Sequence, residues 1–331
     1  MKLFKYLFLL PGLLYFASCN NDLEVIADWK ETTIVYGILN QNDTAQYIRI
    51  NKAFLGEGNA LTMAQVYDSI QYGNQLTVKL DRIKNGTVIE SIPLQKDTSI
   101  IKLPGAFSYP NQVLFKTNNA IYYDSEYELT IANNSTGKII KSKTKLVADF
   151  SISKPTLSQH IINLYPDVKV SWITSVYGRL YDATVRFNYI EEDNTTHIQT
   201  PKSLDMYLGS LKTQNLAGGE TMQIVMKPED FFSLLKNSFV ADANIKRLLR
   251  SDHYDIDIVI SVAADEFNTY IEINMPSTGI AQEKPEYTNI ENGIGIFSAR
   301  YNKSKTNMSL VGDCIDSLYA KSNTYGWGFV P

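Results

Sequence analysis

The stretch Tyr127-Glu128-Leu129-Thr130-Ile131, the loop Asn133-Asn134-Ser135-Thr136-Gly137 and the return Lys138-Ile139-Ile140-Lys141-Ser142-Lys143-Thr144 decide the fold class. Each arm is rich in β-formers, and the five residues between them are turn formers whose short side chains bond local backbone. A long hairpin with a leading tyrosine, following several short strands, is the pattern of an immunoglobulin or fibronectin-type sandwich.

Working back from that hairpin, the same reading recurs. Thr32 to Leu39 is a β-branched run closed by Asn40-Gln41-Asn42-Asp43. In Gln46 to Ala53, Tyr47, Arg49 and Asn51 alternate with Ile48 and Ile50, so the two runs predict a hairpin. Thr62 to Asp68 breaks the rhythm and predicts a short helix with Leu61 or Thr62 near its N-cap. Gln75 to Leu94 returns to strand, with Asn85-Gly86 as its tight turn. Leu114 to Lys116 is a further short strand.

Working forward, 147–155 reads as a junction, and Val168 to Trp172 begins a second β pattern. Strands are expected over Asp182–Ile190, a return through Thr196-His197-Ile198, and Thr221–Met226. Lys227-Pro228-Glu229-Asp230 opens a helix, because proline is tolerated in a first turn and acids there suit the dipole. Ala243 to Leu249 is expected to continue it as a second helical piece. Asp255 to Val262 alternates, placing Ile256, Ile258, Ile260 and Val262 inward and the aspartates outward. Asp265 to Ile271 predicts a short helix. The chain is therefore expected to be mainly β, with two β-sandwich-like domains. The first spans 31–147 and is immunoglobulin-like. The second spans 148–331 and carries helices near 228–250 and 265–272.

The N-terminus supplies an address. Lys2 and Lys5 make a short positive start, and Leu3 to Phe16 is otherwise almost wholly apolar but shorter than the roughly 20 residues a bilayer-spanning helix needs. Small residues, Ala17-Ser18, come directly before Cys19, so 1–18 resembles a bacterial lipoprotein signal with Cys19 as the lipidated residue. Residues 19–30 form a polar spacer in which Asp22 and Glu24 resemble an outward-export signal of Bacteroidetes lipoproteins. The expected location is the outer membrane, lipid-anchored, with the cell surface ahead of the periplasmic face.

Composition narrows the function classes. The net charge of −4 becomes −6 once residues 1–18, with their two lysines, are removed. A mildly acidic body argues against nucleic acid, whose affinity rests on cationic neutralisation of phosphates. With Cys19 modified, Cys314 is alone, so neither a disulfide nor a cysteine metal site is expected. His160, His197 and His253 have no metal-ligand spacing. Glu191-Glu192-Asp193 reads as a solvated turn, and Asp252, Asp255 and Asp257 lack a calcium loop's glycine and glutamate. No catalytic set, cofactor or metal is expected.

Pro285-Glu286-Tyr287-Thr288-Asn289-Ile290-Glu291-Asn292-Gly293-Ile294-Gly295-Ile296-Phe297 follows a strand, a tyrosine-bearing helix and a proline-containing loop. With the lipobox and the Tyr47-Ile48-Arg49-Ile50 strand, this order resembles a domain-of-unknown-function family of Bacteroidetes outer-membrane lipoproteins. The resemblance implies two β-rich domains, frequent encoding beside TonB-dependent transporters, and no established activity. Read physically, Asn289, Gly293, Gly295 and Phe297 are structural: the glycines admit close packing and the asparagine bonds local backbone. Thr44, Ser69 and Ser317 each follow an aspartate in a triplet resembling the O-glycosylation site of Bacteroidetes exported proteins. The C-terminal Tyr325-Gly326-Trp327-Gly328-Phe329 is expected to pack as a last strand or sheet plug rather than stack on sugars.

The leading expectation is a non-catalytic binding or accessory component of an outer-membrane nutrient-uptake system. The alternatives are a fimbrial or adhesive subunit and an envelope hydrolase.

Overall fold

The computed structural model describes residues 32–53, 59–156, 161–162, 167–252, 254–275 and 286–331. Cys19, its leader and spacer, His160, His253, Pro276 and Pro285 lie outside the described residues. Strand outweighs helix, 47% against 16%, and the chain is a mainly β protein of packed sheets.

The first half contains β1 (Thr33–Leu39), β2 (Gln46–Lys52), α1 (Ala60–Ala64), α2 (Tyr67–Ile70), β3 (Leu76–Lys84), β4 (Thr87–Pro93), β5 (Gln95–Asp97), β6 (Leu114–Thr117), β7 (Glu126–Asn133) and β8 (Ile139–Lys145). Their order is β1-β2-β6-β5 in one sheet and β4-β3-β7-β8 in the other. This is the A-B-E-D against C-F-G arrangement of immunoglobulin domains, with one C′ strand added. Period-two alternation drives it. Ile48 and Ile50 from β2 and Leu129 and Ile131 from β7 are all buried in one core. Asn85 (φ 52°) and Gly86 (φ 77°) both occupy the left-handed region, as a two-residue hairpin turn requires. The single helix expected over Thr62–Asp68 is instead two, α1 and α2, broken at Gln65–Val66, and the Asn59 side chain caps the first by accepting from Leu61 N.

The leading tyrosine of the hairpin is a fixed anchor. Tyr127 is fully buried, and its hydroxyl accepts a hydrogen bond from Tyr122 N at 2.8 Å. That bond ties the start of β7 to the loop before it, as in a tyrosine corner. Burial pushes its phenol above the ordinary tyrosine range. Tyr127→Phe should lower stability by about 1–2 kcal/mol by orphaning the Tyr122 N–H. A urea melt should show a lower midpoint with an unchanged slope.

The second half contains β9 (Ile152–Lys154), β10 (Ile161–Ile162), β11 (Val168–Ile173), β12 (Leu180–Asp193), β13 (Gln199–Lys212), β14 (Thr221–Met226), α3 (Pro228–Ser238), β15 (Ile245–Leu248), β16 (Ile256–Ala263), α4 (Asp265–Asn274), β17 (Gly293–Leu310) and α5 (Gly312–Tyr325). The sheet β14-β11-β9 belongs with the run β13-β12-β16-β17. The first half's A-B-E and C′-C-F-G orders are thereby repeated, with helices inserted between strands. Trp172 from β11 and Tyr181 from β12 are fully buried and stack with ring centroids 6.1 Å apart. The Tyr181 hydroxyl accepts from Ser175 N at 2.7 Å, a second tyrosine anchor.

One strand joins the two sandwiches. Residues Gly293–Ala299 of β17 run parallel to Thr33–Leu39 of β1, and Arg300–Met308 then run antiparallel to β16. The sheet therefore continues β16-β17-β1-β2 across the sequence boundary expected at 147/148. Residues from Thr32 onward form one compact unit. The junction residues Leu146, Val147, Ala148 and Phe150 are themselves buried.

Two local expectations are corrected. Ala243–Leu249 does not continue the helix of α3. Ile245–Leu248 is β15, paired with Ile190–Asp193 of β12 and bridged through Arg247 to Phe329. Tertiary pairing overrides helix propensity there. The C-terminal tail packs as expected, and of the two forms, strand or plug, it takes the plug, with Phe329 against Phe187 and Tyr189 of β12. α5 runs to Tyr325 and ends at Gly326 in the left-handed conformation, and the tail then buries Trp327 and Phe329. Ser322 Oγ accepts from Phe329 N at 2.7 Å, pinning that tail to the helix. The aspartates before and within β16 do not both face outward: Asp257 is partly exposed, but Asp255 is fully buried and accepts from Arg250 N at 2.9 Å.

Candidate functional site

Asn289, Gly293, Gly295 and Phe297 form one assembly around the shared strand. The Asn289 side chain grips the Phe297 backbone from both sides: Nδ2 donates to Phe297 O at 2.6 Å, and Oδ1 accepts from Phe297 N at 2.9 Å. Its own carbonyl accepts from Ser142 Oγ at 2.7 Å. Glu291 exchanges backbone bonds with Lys141 of β8, at 2.8 and 3.3 Å. The segment thus touches one sheet of the first sandwich before entering the other beside β1. A Cβ at Gly293 would lie 2.8 Å from Thr33 O, and one at Gly295 would lie 2.0 Å from Val35 O. Gly295 also holds φ 115°, which L side chains rarely adopt. The Phe297 ring is fully buried. The geometry of these four residues is that of a packing device.

A concave surface lies elsewhere, where the sandwiches meet. An open cleft of about 480 Å³ is lined by Lys84, Tyr123, Asp124, Glu126, Lys145 and Tyr177, among others. The β3–β4 hairpin, the β6–β7 loop and the end of β8 supply the first-sandwich wall, and the β11–β12 loop supplies the other. Tyr177 sits at φ 63°, held by its N–H to Leu216 O at 2.9 Å, with Lys145 Nζ 4.8 Å from its ring centre. Tyr123 is half exposed toward the cleft.

Asp124 in this wall is held by three donors. Asp124 accepts from Lys84 Nζ, from Ser125 Oγ at 2.9 Å and from Arg82 Nη2 at 3.1 Å. These bonds, Lys84 first, hold its carboxyl down at about 2, so it stays ionised through the physiological range. Arg82 lies 4.2 Å from the Tyr122 ring centre, which orders the next aromatic along. Aromatic faces beside locked carboxylate and ammonium groups suit recognition of a polar ligand or chain. Among the described residues no histidine lines this cleft.

The sequence pattern pointed to neither Tyr123 nor Tyr177. The cleft is assembled by loops far apart in the chain, and only turn composition marked those loops. Among the described residues no group of three or more His, Cys, Asp or Glu side chains could hold a metal ion. His197 is exposed at the β12–β13 turn, 3.5 Å from Glu192. Glu191 pairs with Arg247, and Asp193 accepts from Thr195 N and Thr196 N. Thr44 lies exposed in the β1–β2 turn; Ser69 lies half-buried in α2, and Ser317 half-buried in α5, bonded to Asp313 O. Cys314 is buried in α5. Among the described residues no helix is long and apolar enough to cross a membrane.

No family model matches the chain, and no curated protein does. Among solved structures, the chain is similar to one chain of a cytokine receptor complex at 10% identity, covering 83% of this chain and 97% of that one, with a TM-score of 0.21. It is also similar to the C-terminal globular domain of an oligosaccharyltransferase from Pyrococcus abyssi at 9% identity, covering 70% and 47%, with a TM-score of 0.25. Overlaps this loose carry no argument about fold or function.

Proposed function

We propose that this protein is a lipid-anchored, non-catalytic binding or accessory component of the bacterial outer membrane, tethered through Cys19 and working beside a TonB-dependent transporter. The observation that carries the binding reading is the junction cleft, with Tyr123 and Tyr177 facing it beside the locked Asp124–Lys84 pair. The lipobox and the resemblance to Bacteroidetes lipoproteins support the address, and the O-glycosylation triplets accord with export. Of the three triplet residues, Thr44 is the accessible one and the favoured site of modification.

The accessory reading has further support over the adhesive one. A fibre built by donated strands needs an open strand groove in each subunit. Here the edge of β1 is filled by the chain's own β17.

The test is a photo-crosslinking residue placed at Tyr123 in cells. Adducts with an outer-membrane transporter or its imported ligand are expected. Tyr177→Ala in the same chain should reduce them by about tenfold, the scale of one lost aromatic contact. Adducts with neither class would remove the proposal.

A further inference from the structure

One end of the first sandwich carries an apolar surface that its own core does not use. Thr32 O accepts from Ala53 N at 2.8 Å and Thr33 Oγ1 lies 2.8 Å from the Tyr72 hydroxyl, so β1 starts at this end. The β2–β3 and β5–β6 connections lie there too, since Lys52 pairs with Thr33 and Leu114 with Arg49. Ser108 N donates to Ala64 O at 2.9 Å, joining the two connections into one cap. On that cap Leu61, Val66, Ile101, Leu103, Phe107 and Tyr109 are exposed, Leu103 by 81% and Ile101 by 75%. Within 98–112 the only charged side chain is Lys102, whose ammonium sits 5.1 Å from the Phe107 ring centre. Exposed apolar residues gathered with Lys102 beside them and charged Arg49 and Asp68 nearby form an amphipathic surface, and a patch of this kind on a folded domain marks an interaction site.

We infer that this cap rests on the phospholipid surface, with Leu103, Ile101 and Phe107 entering the headgroup–acyl boundary. The inference rests on the reading of Cys19 as the lipidated residue. Twelve residues lie between Cys19 and Thr32, so the two are thirteen Cα steps apart, a span of at most about 47 Å when fully extended. The anchor therefore pulls on the end of the sandwich that carries the patch. The junction cleft lies at the opposite end, beyond the last residues of β8. The acyl anchor holds the chain at the membrane, and the apolar residues of the cap add interfacial attraction that scales with the apolar area they bury. Docked this way, the sandwich stands with its binding cleft facing away from the bilayer.

The experiment uses the mature acylated protein in phosphatidylethanolamine–phosphatidylglycerol vesicles. A fluorophore is attached at Leu103→Cys or, as reference, at exposed Val240→Cys on the second sandwich. Cys314 is fully buried and stays unlabelled. Lipids carrying a quencher in the acyl chain should dim the label at 103 by at least about twofold and leave the label at 240 unchanged. A label at 103 that responds like the one at 240, or that is shielded from aqueous iodide yet untouched by the lipid quencher, overturns the inference. The latter result would assign the patch to a protein partner or a second copy. The intact mass of the same preparation separates the two layers. An acylated chain with an unquenched label sinks the docking alone, whereas a chain without acyl mass sinks the anchoring with it.

Discussion

Gly295→Val should cost about 4–5 kcal/mol of folding stability and loosen both sandwiches together. Two effects add at this position. The backbone at φ 115° excludes β-branched side chains, and the new Cβ would stand 2.0 Å from Val35 O in the neighbouring strand. The strand cannot move aside, because Phe297 two residues on is buried and gripped by Asn289. Gly86→Ala separates the two effects: its φ is 77°, but nothing lies within 4 Å of the added Cβ, so it should cost only about 1 kcal/mol. Urea unfolding of both variants measures the difference. A Gly295→Val midpoint equal to that of Gly86→Ala would mean the β1–β17 contact is not tight.

Arg247→Met should cost about 2–3 kcal/mol and release the C-terminal tail. Arg247 is buried with its Nε 3.0 Å from Glu191 Oε1 and its Nη1 2.5 Å from Trp327 O, and its guanidinium carbon lies 4.6 Å from the Phe239 ring centre. Its backbone N–H donates to Gly328 O at 2.7 Å. The methionine keeps the packing volume but leaves the Trp327 carbonyl without this donor and, among the described residues, leaves Glu191 with the distant Lys202 at 3.9 Å as its cation. Glu191 is partly exposed, which keeps the cost below that of a fully buried pair. Limited proteolysis should cut after α5 sooner in the variant, and Trp327 emission should shift to the red. An unchanged cleavage rate would show that the aromatic packing alone holds the tail.

Much of the fold was legible because the two sandwiches are built from local signals. Alternation at Ile48 and Ile50, the Asn85-Gly86 turn and the Asn133–Gly137 loop each act within a few residues. Pro228 with Glu229 and Asp230 likewise marked α3. What stayed hidden depends on partners distant in sequence. Ala243–Leu249 carries good helix formers, and only the ladder to β12 and the Arg247–Trp327 bond make it a strand. Asp255 looked like the polar half of an alternation, yet it turns inward to bond the Arg250 N–H. The glycine-rich segment was recognisable as structural, but its role as a strand shared by two sandwiches follows from a pairing between residues 33 and 293. The cleft was illegible for the same reason, since Tyr123 and Tyr177 meet only after both sandwiches have formed.

Native-state hydrogen exchange read by mass spectrometry tests that sharing most directly, on the wild type and on Asn289→Ala. The substitution removes both side-chain bonds to Phe297 and should cost about 2 kcal/mol. If β17 makes one cooperative unit, the slowest amides of β7 in the first sandwich and β16 in the second share one opening free energy. Both then fall by the same amount in the variant. Two separate opening energies, with β7 unmoved by the loss of Asn289, would contradict it.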